Sequence, residues 1–293
     1  MLRILAELIM RSRGHAAALI VLCAVLPVPF LSLLGASGLA LVTLRLGPKE
    51  SGFLLFSAAL PCAVIAMLGQ PALLVTNIGM LYGPVWLLAW VLRRSVSLDW
   101  TVQFLGVLGV VSVALVYLVY PEIAQWWLQS FQALVAAMEQ QTASPVDGLR
   151  ELLPQMAKVA TGAQAALVLL VAFLCLCTGR AMQAKLFNPD GFRQEFQHLR
   201  CHGRYSAALM VCVLCAGLGW PLAIESIVPM AIPLLLAGFG LVHAWAAQRQ
   251  EPALWLVAFY SVMLLTGLTP VLLLVLVLAV LDSWLNIRAR IQL

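Results

Sequence analysis

Charge is what this sequence has least of. Of its 293 residues, 17 are basic and 12 acidic, while 63% are hydrophobic. A soluble domain carries about 25% charged residues because its surface must face water, so an ordinary soluble protein is excluded. Long polar stretches are also missing. The longest, 122–158 and 180–204, are too short to hold a core of their own, and no separate soluble domain is expected. There is no HExxH, no pair of intramembrane aspartates and no Walker A loop. Zinc peptidase, aspartyl protease and ATPase therefore have no support, and no enzymatic activity is expected. The seven cysteines are an odd number, and six of them (Cys23, Cys62, Cys175, Cys177, Cys212, Cys215) lie in apolar runs, where they read as packing residues. Cys212-x-x-Cys215 has redox spacing without any charged neighbour. His198-x-x-Cys201-His202 sits beside Arg200 and Arg204, which repel a cation. No metal site and no cofactor are expected.

What the chain does have is apolar length. Charge-free runs cover 16–44, 51–92, 100–120, 159–179, 205–224, 226–248 and 252–281, each able to supply the ~20 residues that cross a hydrocarbon core. This predicts an all-α, polytopic transmembrane bundle forming one integral membrane domain over 1–293. The net charge of +5 reflects cytoplasmic Lys and Arg rather than nucleic-acid binding. Returning each basic cluster to the cytoplasm counts the crossings. Run 16–44 must split at Pro27 and Pro29, 51–92 at Gly69-Gln70-Pro71, and 252–281 at Gly267 to Pro270, with a further turn at Trp220-Pro221 and Glu225. The outcome is eight to ten passes in short Pro/Gly-broken hairpins, with both termini cytoplasmic and all basic residues except Arg150 and Lys158 on that side. Some passes are short enough to be half-helices of the kind that line transporter sites. The N-terminal run is too long for a cleaved signal peptide.

Three segments stand apart. Residues 1–14 predict an interfacial helix, with Leu2, Leu5, Leu8 and Ile9 against Arg3, Glu7 and Arg11. Segment 121–158 predicts an amphipathic helix on the outer surface, with Trp126, Trp127 and Phe131 as an aromatic belt. Segment 180–204 predicts a cytoplasmic basic loop, with Asn188 as N-cap and Pro189 as first residue of a helix that sets Phe192, Phe196 and Leu199 on one face. Arg180, Lys185, Phe192, Arg193, Phe196 and Arg200 are its candidate contacts to lipid head groups or to a cytoplasmic protein.

Inside the membrane the ionisable and polar candidates are Asn77, His243 and Asp282. Asp282 and Arg288 lie nearly two helical turns apart, so bonding of Asp282 to another helix or loop is the expectation. Gly35-Ala-Ser-Gly38 resembles the serine motif of rhomboid proteases, with His243 the sole histidine within a span. The remaining rhomboid pattern is missing, and small residues at that spacing also serve close helix packing.

Several strings carry a wider resemblance: Gly179-Arg180, Gln183-Ala184, the run 186–193 (Leu-Phe-Asn-Pro-Asp-Gly-Phe-Arg), Glu195-Phe196, Leu199-Arg200, Leu281-Asp-Ser-Trp284 with Arg288, and Leu-Arg-Leu-Gly-Pro at 44–48. Together they resemble the YybS-like family of bacterial inner-membrane proteins, whose architecture is similar to the substrate-binding S components of energy-coupling-factor transporters. That likeness implies a bacterial inner-membrane location, a small solute bound between broken helices, and an ATPase module as partner. S components dock that module through an Ala-x-x-x-Ala pair on the first helix; here the spacing occurs at Ala36 and Ala40, on the second pass. A transport-type subunit that binds a small solute is the expected function. The alternative is a scaffold or regulatory protein that recruits a cytoplasmic partner through 180–204. An outward cavity lined by Asn77 and Tyr82 separates the first from the second, and Cys201 is the natural reporter of which side that segment faces.

Overall fold

The computed structural model describes residues 2–26, 28–142, 147–187 and 191–290, and among them helix is the only regular structure. The chain opens with α1 (Leu2–Arg11), which carries an Arg3–Glu7 pair one turn apart. Ser12 then caps α2 (Arg13–Val25), its Oγ accepting from the His15 amide at 3.2 Å. Pro29 starts α3 (Pro29–Leu46). Gly47, at a φ of 104° that a side chain resists, ends it and lets Pro48 start α4 (Pro48–Met67). Beyond the Gly69-Gln70-Pro71 break, a π-helical segment (Leu74–Tyr82) runs into α5 (Gly83–Ser95). Ser97 caps α6 (Leu98–Val119). Next come α7 (Ile123–Thr142), α8 (Asp147–Ala157), α9 (Ala160–Phe187) and α10 (Gly191–Gln197). The last five are α11 (Gly203–Gly217), α12 (Pro221–Ala247), α13 (Pro252–Leu265), α14 (Leu268–Leu285) and α15 (Ile287–Arg290).

Seven of these elements are long and apolar enough to cross a membrane: α3, α4, the π-helical segment with α5, α6, α9, α12 and α14. Three more, α2, α11 and α13, are apolar but shorter. The protein is an all-α, multi-pass bundle, and its apolar helices break where proline and glycine predict. Pro27 itself lies outside the described residues.

One expectation is extended and one corrected at this level. The helix expected from Ile123 to Met138 is α7, and segment 121–158 adds a second helix, α8, that packs against it with Val135 and Leu153 buried. Its link to the bundle is Trp127 Nε1, which donates to Thr161 Oγ1 at 3.0 Å. The basic loop is also shorter than expected. α9 continues to Phe187, so Arg180 and Lys185 stand on a helix, and α10 begins at Gly191. The expected cap at Asn188 and Pro189 lies outside the described residues.

The order of elements recurs along the chain. A short helix (α1, α10) precedes a short apolar helix (α2, α11), a long one (α3, α12), a Pro-initiated one (α4, α13) and a last one (α5, α14). Packing follows the same plan: α3 rests mainly on α9 and α5, and α12 on α6, α11, α9 and α14. Small residues make these crossings close. A Cβ built on Gly106 or Gly109 of α6 would lie 2.9 or 2.5 Å from the rings of Pro233 or Pro229 of α12. On α9, a Cβ at Gly179 would lie 2.7 Å from the Ser37 carbonyl and 2.8 Å from Ala40 Cβ. Ala36 and Ala40 are therefore buried inside the molecule, and this spacing offers nothing to an outside subunit. Ser37 is buried too, its Oγ donating to Leu33 O at 2.8 Å, while His243 bonds Tyr260. The rhomboid-like string is thus a packing motif, and serine and histidine do not meet.

Candidate binding site at the arginine-rich end

One end of the bundle gathers a polar network. The Asp282 carboxylate accepts from Arg288 Nε at 3.0 Å and from its amide at 3.3 Å, with Asp282 2% and Arg288 6% exposed. The Arg288 guanidinium also donates to the carbonyls of Ala237, at 2.8 Å, and of Gln197. This corrects the expectation that Asp282 bonds elsewhere. Asn286 ends α14 in the left-handed region (φ 48°, ψ 58°), so the chain turns back and brings Arg288 over the helix it has just left. Arg200 caps the same helix end, donating to the carbonyls of Asp282 and Ser283 at 3.1 Å each, while its amide donates to Asp99 Oδ1 at 2.9 Å. Arg180 pairs with Glu195 and donates to Gln183 Oε1 at 2.7 Å. Asp282, Arg200 and Arg180, expected as site or partner contacts, are therefore fold-holding groups.

Asn77 is also spoken for, its Nδ2 donating to Ala24 O at 2.8 Å. Nearby Tyr82 is fully buried against α3, its hydroxyl 2.1 Å from where a Gly35 Cβ would sit and without a hydrogen-bond partner among the described residues. The outward cavity expected between Asn77 and Tyr82 is filled by this packing. Glu225, expected at an outer turn, lies one turn inside α12 and is fully buried; it accepts from the Gly162 amide and, at 3.1 Å, from Tyr117 Oη.

Four of the expected residues do converge. Phe192, Arg193 and Phe196 of α10, with His243 of α12, line a cleft of about 320 Å³ completed by Gln197, Ala247, Pro252 and Leu256. The Phe196 ring meets His243 edge-on, with centroids 5.7 Å apart, and Phe192 lies 6.4 Å further out. His243 Nε2 bonds Tyr260 Oη at 2.9 Å, which fixes the imidazole between α12 and α13. Gly240 makes room for α10, because a Cβ there would lie 2.5 Å from Phe196 O. Arg193 is exposed and makes no ion pair among the described residues. Half-buried aromatic walls with one free cation and one imidazole suit a small anionic solute with an apolar part. Lys185 stands outside this cleft, exposed on α9. No local pattern in the sequence ties Tyr260 to a histidine on another helix. No family model, curated protein or solved structure matches the chain.

Cys201 is a poor reporter of sidedness. It is 2% exposed, and burial, with Asp99 nearby, pushes its thiol up. With Cys201 as sole cysteine, an impermeant maleimide is expected to leave the folded protein unlabelled from either side and to label it once denatured. The exposed site is Lys185→Cys in a background without other cysteines. Its labelling from outside intact cells would reverse the orientation expected from the charges.

Proposed function

We propose that the protein is a non-enzymatic membrane subunit of transport type, which holds a small anionic, partly apolar solute in the cleft at Phe192, Arg193, Phe196 and His243. The observation that carries this is the convergence of those four side chains on a single cavity of about 320 Å³, within the size range of small-molecule sites and lined as they are, by apolar walls with few polar groups. With the arginine-rich end in the cytoplasm, as the charge distribution predicts, the cleft opens at the inner leaflet. Native-complex mass spectrometry of the detergent-extracted protein tests it. One anionic small molecule per chain is expected to co-purify. Arg193→Ala should lower its occupancy about tenfold or more, the effect of losing a hydrogen bond to a charged group worth ~1.5–3 kcal/mol. A soluble partner protein with no small molecule overturns it.

The alternative of a scaffold that recruits a cytoplasmic protein is favoured by two features, the first being that Tyr82 is packed inside the bundle and Asn77 is bonded to Ala24 O, so that no outward cavity opens between them. The second is Phe187, 49% exposed at the end of α9, which lies under the Arg45 guanidinium at 3.7 Å, with exposed Lys185 two residues before it. The same mass spectra separate the two readings.

A further inference from the structure

On the other side of α13 lies a second, almost wholly apolar groove of about 540 Å³. It runs between Leu241 and Trp245 of α12, Ala258 and Phe259 of α13, and Leu274 and Leu278 of α14. α13 buries none of its own residues, so it stands off the bundle and leaves the groove open along its length. At the arginine-rich end of this groove Trp245 and Trp255 meet edge-on with centroids 5.3 Å apart. Arg249 lies over both, its guanidinium carbon 4.3 Å from the Trp245 ring centre and 5.6 Å from that of Trp255. Arg249 is exposed, and among the described residues no carboxylate comes within ion-pair distance of it, the nearest in sequence being exposed Glu251.

We infer that this groove holds one acyl chain of an anionic phospholipid, with the lipid phosphate on Arg249. A flat guanidinium stacked on indole keeps its N–H edge free, and that edge matches two phosphate oxygens at once. Tryptophan at this depth is the usual residue of the boundary between chains and head groups. A second copy of the chain or a helix of another protein would fill the apolar groove, but would also have to place a carboxylate at its rim to answer Arg249. A phospholipid carries both parts in one molecule, and the surrounding leaflet supplies it. The site is separate from the cleft at His243, which lies across α13 and is lined by different residues.

The test is native mass spectrometry of the full chain in mild detergent, titrated with phosphatidylglycerol or phosphatidylcholine. Wild type is expected to retain one phosphatidylglycerol, preferred over phosphatidylcholine by about fivefold, the factor one arginine near an anionic surface gives. Arg249→Ala should remove that preference while leaving weak retention of both lipids. Ala258→Trp, which fills the groove and leaves Arg249 in place, should abolish retention of both. Equal preference in wild type and Arg249→Ala would overturn the head-group assignment. Undiminished retention in Ala258→Trp would overturn the acyl-chain assignment, and lipid numbers that rise without a one-to-one step would show a general annulus instead of a site.

Discussion

Replacing Arg288 with alanine is expected to destabilise the protein by about 3–5 kcal/mol, the usual effect of removing one partner from a buried ion pair. The size follows from what is left behind. Asp282, 2% exposed, would be left in the interior with only the residue 288 amide as a hydrogen-bond donor. The carbonyls of Gln197 and Ala237 would lose their donor as well, and with them a tie between α10, α12 and α14. The pair itself need not be favourable over an apolar filling, because burying both charges has its own cost. A double-mutant cycle makes the distinction: Asp282→Asn with Arg288→Met should cost clearly less than the sum of the two single changes. Equilibrium unfolding in detergent, followed by tryptophan fluorescence, reads all three. The effect should hold at high salt, since screening reaches buried pairs poorly. An Arg288→Ala protein within about 1 kcal/mol of wild type would show the pair to be solvated.

Gly162→Ala carries the other large expected effect, at the opposite end. A Cβ at this position would fall 1.8 Å from the Glu225 carbonyl oxygen and 2.7 Å from its carbon, and both are backbone. Neither atom can turn aside, so α9 and α12 must separate. The Gly162 amide then leaves Glu225 Oε2, which it now meets at 2.5 Å. Overpacking alone costs about 1–3 kcal/mol, and a buried carboxylate that loses one of its donors adds to that. We expect about 3 kcal/mol or more, or failure to accumulate in the membrane. Gly106→Ala is the internal comparison. Its Cβ would also come within 1.8 Å of an atom, but that atom is the Tyr205 hydroxyl, the end of a side chain rather than backbone, which can shift at the cost of its bond to Met230 O, and the Pro233 ring follows at 2.9 Å. Thermal unfolding of the two variants side by side should rank Gly162→Ala well below Gly106→Ala; equal losses would mean that the α9–α12 contact yields.

The hairpin breaks were legible because their cause is local. Proline lacks an amide donor, and Pro29, Pro48, Pro221 and Pro252 each stand at the first turn of a helix. The recurrence of elements was half visible in the repeated Pro/Gly turns, though the turns alone do not say which helices pack. Partners of charged side chains were the illegible part. Arg180 and Arg200 read as a basic surface, because composition records a charge and not the carboxylate or helix end that meets it across the fold. The sequence separation of Asp282 and Arg288 on a straight helix hides their pairing, because Asn286, a residue that tolerates the left-handed turn, reverses the chain between them. Pro221, four residues before Glu225, signals a turn in the sequence, but that proline opens the helix and leaves Glu225 one turn within. In the candidate cleft, Phe192, Arg193, Phe196 and His243 each stand out in the sequence for their own chemistry. Their meeting depends on Gly240, a glycine in an apolar run like many others. The strings that carry the YybS-like resemblance include Arg180, Glu195, Arg200, Asp282 and Arg288, so that likeness follows the polar network at the end of the bundle.

The span of that network along the chain also sets an order of assembly. Asp99 receives the Arg200 amide from 101 residues away, and Arg200 in turn reaches the carbonyls of Asp282 and Ser283 across 82 and 83 more. At a synthesis rate of ~5–20 residues per second, α6 would wait about 5–20 s for Arg200 and nearly as long again for α14. During that interval the elements up to α6 can pack among themselves, but Asp99 still lacks the Arg200 amide. The bundle closes only when late-made helices arrive, which makes the second half of the chain the clamp on the first.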